Sequence, residues 1–318
     1  MSTHVTDSGD ANLGRHSSKL VAGLVIGVVI LAAIAIVWSG HRDRKVRSEM
    51  LNSGLGEPSV TTALPYLIER WWPEVLEPLT NRIHGIEIYS EHGAELITNF
   101  SDLRYLEEVS IWGEGNEHSE PFDFSGCEVL QSVFITDTKG SASSFRNCSE
   151  LTNLVLSGMG TFPSFPDLEG CDSLTSLSIN ATAVHVGDTD LAIPSLTEFS
   201  FYGAKIDRFP DLSGCSKLEA VFLSASTAVA LPDLSFLGDK LQRLSVYGKL
   251  LDLPNLSGLT GLKKLELGYF LSVEEIPSMV HLMKLEDLTL DGMPLTELPT
   301  LPNELVCIHL RTTETCQN

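Results

Sequence analysis

Basic residues are scarce in this chain, 21 Lys and Arg against 42 Asp and Glu, for a formal net charge of −21. They are also unevenly placed. Arg15, Lys19, Arg42, Arg44, Lys45 and Arg47 lie in the first 48 residues beside only Asp7, Asp10 and Asp43, which leaves 15 basic and 39 acidic residues to the remainder. A surface of that sign repels phosphate backbones and anionic lipid, so a nucleic-acid reader is excluded and a cationic or mixed-charge protein partner is expected. Catalytic and cofactor signatures are missing as well. The chain has no H-E-x-x-H, no C-x-x-C, no phosphate-cradling glycine loop and no G-x-S-x-G. Its nine histidines are scattered, and His309 is expected to stand alone as a solvated polar residue. Neither an enzyme nor a cofactor or metal site is expected.

Charge and proline are absent from one stretch altogether. Residues 20–38 read LVAGLVIGVVILAAIAIVW, and nineteen such residues in a helix would span roughly 28 Å, close to a bilayer core. Lys19 and the HRDRK run at 41–45 bracket the segment, and Trp38 suits an interfacial belt. A single-pass membrane anchor is therefore expected, in preference to a cleaved signal peptide. The excess of basic residues after the helix leans the C-terminal side toward the cytoplasm, with an extracytoplasmic placement as the alternative. Gly23 and Gly27 form a small-x-x-x-small pair, which would allow a helix-mediated homodimer.

The dominant feature is a repeat. A pattern L-x-x-L-x-L begins at residues 83, 106, 130, 151, 174, 196, 218, 241, 262, 285 and 305, and all its apolar positions are Leu, Ile, Val or Phe. LTNLVLSG at 151, LQRLSVYG at 241 and LEDLTLDG at 285 are clear copies. The alternation predicts a short strand in each, with Leu244 and Val246 inward and Arg243, Ser245 and Tyr247 outward. One repeat cannot bury its apolar face alone, so the strands should stack into one parallel sheet on the order of 50 Å long. Return segments such as FPDLEGC at 165–171 and FPDLSGC at 209–215 carry proline, which disfavours helix there. Ile206, Phe209 and Leu212 are expected to supply the opposite wall of the core.

Residues 83–310 thus resemble the leucine-rich-repeat family. The resemblance implies an α/β-type solenoid, a horseshoe with a parallel β-sheet on its concave face and a mostly irregular convex side, and with it a role in protein binding. One departure is plain. The family's asparagine after the strand is replaced by Met159, Ala204, Lys249 and Met293, often after a glycine, so the turns are expected to rely on Gly158, Gly203, Gly248 and Gly292. The last stretch, LPTLPNELVCIHL at 298–310, resembles the short bacterial repeat of secreted effectors. Some of those carry a C-terminal ubiquitin-ligase domain, for which this sequence offers no room, so that activity is not expected here.

The resulting organisation is an N-terminal tail at 1–19, the membrane helix at 20–38, a juxtamembrane linker at 39–63, an aromatic-rich N-terminal cap at 64–82 containing Trp71 and Trp72, and the solenoid at 83–318. Cys127, Cys148, Cys171 and Cys215 each precede a repeat's first leucine by three residues, where other repeats hold Leu103, Ile193, Leu259 or Leu282. That column is apolar, so free structural thiols are expected rather than disulfides. Partner contacts are expected at outward aromatics: Tyr202, Phe222 and Tyr247 in one group, Tyr89, Trp112 and Phe134 in the other. Small polar residues (Asn153, Ser157, Ser176, Ser178 and Asn180) lie between them. The expected function is a membrane-anchored protein-binding module. The alternative is a structural or regulatory membrane element that assembles through its helix.

Overall fold

The computed structural model describes residues 59–62, 81–89, 100–101, 103, 105–112, 122–136, 143–249, 252–270, 273–303 and 305–311. The membrane segment, Trp71 and Trp72 lie outside these residues. Among the described residues no helix is long and apolar enough to cross a membrane. Two compact units divide the chain, residues 1–48 with 60–83 and residues 49–59 with 84–318. Residues 60–62 of strand β1 (Ser59–Thr62), within the stretch read as a linker, and residues 81–83 of β2 (Asn81–Tyr89) are what is described of the first unit.

The second unit is a parallel β-solenoid. Its strands continue from β2 as β3 (Glu108–Trp112), β4 (Ser132–Thr136), β5 (Asn153–Phe162), β6 (Ser176–Val184) and β7 (Glu198–Ile206). β8 (Ala220–Ala225), β9 (Arg243–Gly248), β10 (Lys264–Gly268), β11 (Asp287–Asp291) and β12 (Cys307–Arg311) complete the series. Each strand pairs with its chain neighbours, so one row of the sheet runs from Ile86 through Val109, Leu154 and Leu244 to Ile308. This row holds the second apolar position of every repeat. A slip of one residue in any coil would turn its leucines outward, so burial fixes the register.

Between the strands the chain returns through turns and bends, and the one helical segment among the described residues is a 3-10 turn at Ser235–Leu237. The helical half implied by the α/β description is thus absent from the described residues. Proline starts the return, and an Asp or Asn closes it, directly after the proline in all but Asp123, which follows Phe122. Asp123, Asp167, Asp211, Asp233 and Asn255 each accept a hydrogen bond from the backbone amide two residues on, at 2.9–3.1 Å. These Asx turns satisfy amides that a helix would otherwise pair. Short parallel bridges, Asp123 to Ser144 to Asp167 and Asp190 to Asp211, tie successive returns together.

The core wall opposite the sheet is a column of rings and thiols. Phe124 stacks on Phe100 at 4.6 Å and on Phe145 at 5.1 Å between centroids, and all three are fully buried. Beside them the thiols of Cys127, Cys148 and Cys171 donate to the carbonyls of Phe100, Phe124 and Phe145, at 3.3, 3.2 and 3.1 Å. Cys215 donates to Leu191 in the same way, at 3.0 Å. Each cysteine therefore bonds the coil before its own, a role that the leucine or isoleucine at this position in other coils cannot fill. All four are buried free thiols. Burial pushes the Cys127 and Cys171 thiols up to about 12.

The expectation for the glycines holds in part. Gly248 and Gly292 turn the chain with φ of 122° and 59°. Gly158 and Gly203 instead lie inside β5 and β7, which run on to bury Phe162 and Ile206. At Gly203 the need is space: a Cβ there would collide with the Ile206 side chain.

Candidate functional site

Strand alternation sends three residues per coil away from the core, so the outward face of the sheet is a grid. Tyr89 and Trp112 are register partners, and the Trp112 ring lies 5.8 Å from that of Phe134 at an angle of 52°. The Tyr89 side chain itself lies outside the described part of the structure. The next coils present Asn153, Ser157, Ser176, Ser178 and Asn180, and then the second aromatic group begins. Tyr202, Ser224 and Tyr247 share one row, while Phe222 sits in the next row between Ser200 and Ser245. Tyr202 and Tyr247 are thus two strand spacings apart, about 10 Å, with Phe222 diagonal to both.

The environments of the three differ. Tyr202 is 38% exposed and borders a shallow depression of about 360 Å³ whose lining includes Asn180, Ser157 and Ser224. Phe222 is half-buried beneath the Arg243 guanidinium, 5.9 Å from its ring centre, and Arg243 in turn reaches Glu198 at 3.8 Å. Tyr247 is half-buried, donates its hydroxyl to Glu266 at 3.3 Å, and has the Tyr269 ring 6.4 Å away.

Glu266 organises this corner of the grid. It also accepts from the Ser245 hydroxyl at 2.6 Å and pairs with the Lys264 amine at 2.8 Å. Partial burial works to raise its pKa, but the hydrogen bonds from Lys264 and Ser245, the Lys264 charge and the Tyr247 hydroxyl outweigh burial and hold the carboxyl below its usual range. The Tyr202 phenol is pushed upward, by burial first and then by the charges of Glu266 and Glu198. The outward face therefore combines amphipathic rings with fixed charges of both signs, a combination suited to a protein surface.

Sequence reasoning missed three members of this group. Arg243 reads as outward without a role, and Glu266 carries no local signal because two of its partners, Ser245 and Tyr247, come from the neighbouring strand. Tyr269 follows β10 in a left-handed backbone conformation, φ 64°, and is 47% exposed. No local pattern announces that conformation in a residue other than glycine, asparagine or aspartate.

At the far end of the grid the expectation of an isolated His309 is overturned. His309 Nε2 lies 3.2 Å from the Cys307 thiol and 3.9 Å from an Asp287 carboxylate oxygen. The C-x-H spacing puts Cys307 and His309 on one face of β12, and the parallel register sets Asp287 of β11 opposite Cys307. The core-side residues of β12 are also less covered than their equivalents, Ile308 being 40% and Leu310 50% exposed. Comparison with protein-family models and with curated proteins finds no match for this chain.

Proposed function

We propose that this protein is a membrane-anchored binding module of leucine-rich-repeat type, which receives a protein partner on a concave strand face. The observation that carries the reading is the aromatic group Tyr202, Phe222 and Tyr247, framed on one face by Arg243, Lys264, Glu198 and Glu266. Rings held in place on a rigid sheet contribute large contact area at small entropic cost, and flanking charges select the partner by complementarity. The reading places the partner's cationic or mixed-charge surface over this patch, with Trp112 and Phe134 as a second anchor. The apolar segment 20–38 and its basic flanks support the membrane tether and a cytoplasmic repeat domain.

The test is a triple substitution, Tyr202→Ser, Phe222→Ser and Tyr247→Ser. Partners captured by cross-linking to the parent in its native membrane are quantified against the variant. Loss of these anchors should weaken a specific partner by about 2 kcal/mol or more, roughly thirtyfold. A folded variant that retains every partner at parental affinity removes this patch from the function. Protease added outside intact cells should leave the repeat domain whole, and digestion would reverse the orientation.

A further inference from the structure

We infer that Asp287, Cys307 and His309 form a binding site for a zinc-class divalent metal ion on the outward face of the last strand pair. Their ligand atoms, one carboxylate oxygen, one thiol sulfur and one ring nitrogen, all lie within 4.8 Å of one another. Zinc bonds of ~2.3 Å to sulfur and ~2.0–2.2 Å to nitrogen or oxygen place the ligand atoms of a tetrahedral site roughly 3.4–3.6 Å apart. The sulfur–nitrogen separation here is 3.2 Å and the nitrogen–oxygen separation 3.9 Å, so small side-chain adjustments bring all three into range. The backbone already supplies the convergence, because parallel pairing of β11 with β12 sets Asp287 beside Cys307 and the strand period sets His309 on the same face.

A second observation points the same way. Among the described residues, Asp287 Oδ1 is shielded from solvent and has no hydrogen-bond partner. An acceptor left in that state is costly, and a cation would satisfy it. The nearest fixed cation by register is Lys264, opposite Asp287, but its amine is held by Glu266 at 2.8 Å. The donor set also selects the ion. Sulfur with imidazole and one carboxylate suits zinc and its borderline neighbours, whereas magnesium and calcium require oxygen ligands throughout. Three protein ligands leave one position for water or a fourth donor. The ion would bridge β11 to β12, where the sheet ends with Ile308 and Leu310 partly uncovered. Metal binding would then be coupled to the stability of the terminal coil.

Cobalt(II) titration of the reduced full-length chain in mild detergent tests the site. The expected result is a thiolate-to-cobalt absorption that saturates at one ion per chain and is displaced by zinc. Cys307→Ser should abolish it. His309→Ala and Asp287→Asn should each weaken cobalt binding at least ~10-fold, since even outer-shell partners of a metal ligand are worth that much. Cys307 and His309 point away from the core, so far-ultraviolet circular dichroism should show the parental fold in both variants. Absence of the thiolate band in the parent, its survival in folded Cys307→Ser, or unchanged affinity in Asp287→Asn would each overturn the proposal.

Discussion

Phe124 sits between the Phe100 and Phe145 rings with no exposed surface, so its truncation measures how strongly one coil holds the next. Replacing a buried phenylalanine by alanine costs about 3–5 kcal/mol through lost burial and the cavity left behind. Two stacked contacts, each worth ~0.5–1.5 kcal/mol beyond burial, put Phe124→Ala toward the upper end of that range. Phe124→Leu keeps most of the burial and loses the stacking, for about 1–3 kcal/mol. Phe236, 41% exposed on the 3-10 turn, is the control, and its alanine variant should stay within ~0.5 kcal/mol of the parent. Urea unfolding followed by circular dichroism gives the three values. Because each coil contacts only its neighbours, amide exchange should accelerate around residues 100–156 before it does around 262–290. A cost below about 1 kcal/mol for Phe124→Ala, or equal acceleration along the whole solenoid, would refute the stacked-column argument.

The thiol column gives a pH dependence. Folded thiols at about 12 against an ordinary 9.0 ionise only after the unfolded chain has done so. Their contribution is therefore complete below the unfolded value and is lost as pH rises toward the folded one, at roughly 1.4 kcal/mol per pH unit for each thiol. Cys127→Ala with Cys171→Ala should flatten the alkaline stability curve, and an equal slope in parent and variant would contradict the assignment. Asp211→Ala removes the acceptor for the Ser213 amide and should cost about 1 kcal/mol in urea unfolding, while Asp211→Asn keeps the acceptor and most of the stability. Gly248→Ala would drive a Cβ onto the Ala225 carbonyl at a φ of 122° and should cost more than about 2 kcal/mol. Gly126→Ala, at φ 80° in open space, should cost only about 1 kcal/mol, so similar melting points for the two variants would count against the close-approach argument.

The repeat was legible because its information is local and redundant. Three apolar positions recurring every 20–24 residues specify strand, inward face and register together, and the sheet places these positions in the rows their spacing implies. The cysteine column could be read in the same way, by comparing what other coils hold at that position. Only part of the return signature is legible in this way. Proline announced a break from helix, yet the Asp or Asn after it makes the turn, through an acceptor reaching the amide two residues on.

What the sequence determined by itself is thus the periodic part: parallel strands, the buried ladder, the apolar position of the thiols, and the aromatics that face outward. The tertiary structure decided whatever depends on neighbouring coils. Glu266 gains its partners from β9 and from its own strand only once the sheet forms, and Arg243 covers Phe222 of β8 across a strand boundary. Asp287 meets Cys307 and His309 although twenty residues separate it from the nearer of them. Periodicity reports which way each side chain points, but a site needs side chains from different coils at one place. That meeting is set by the register between strands, and no single repeat contains it.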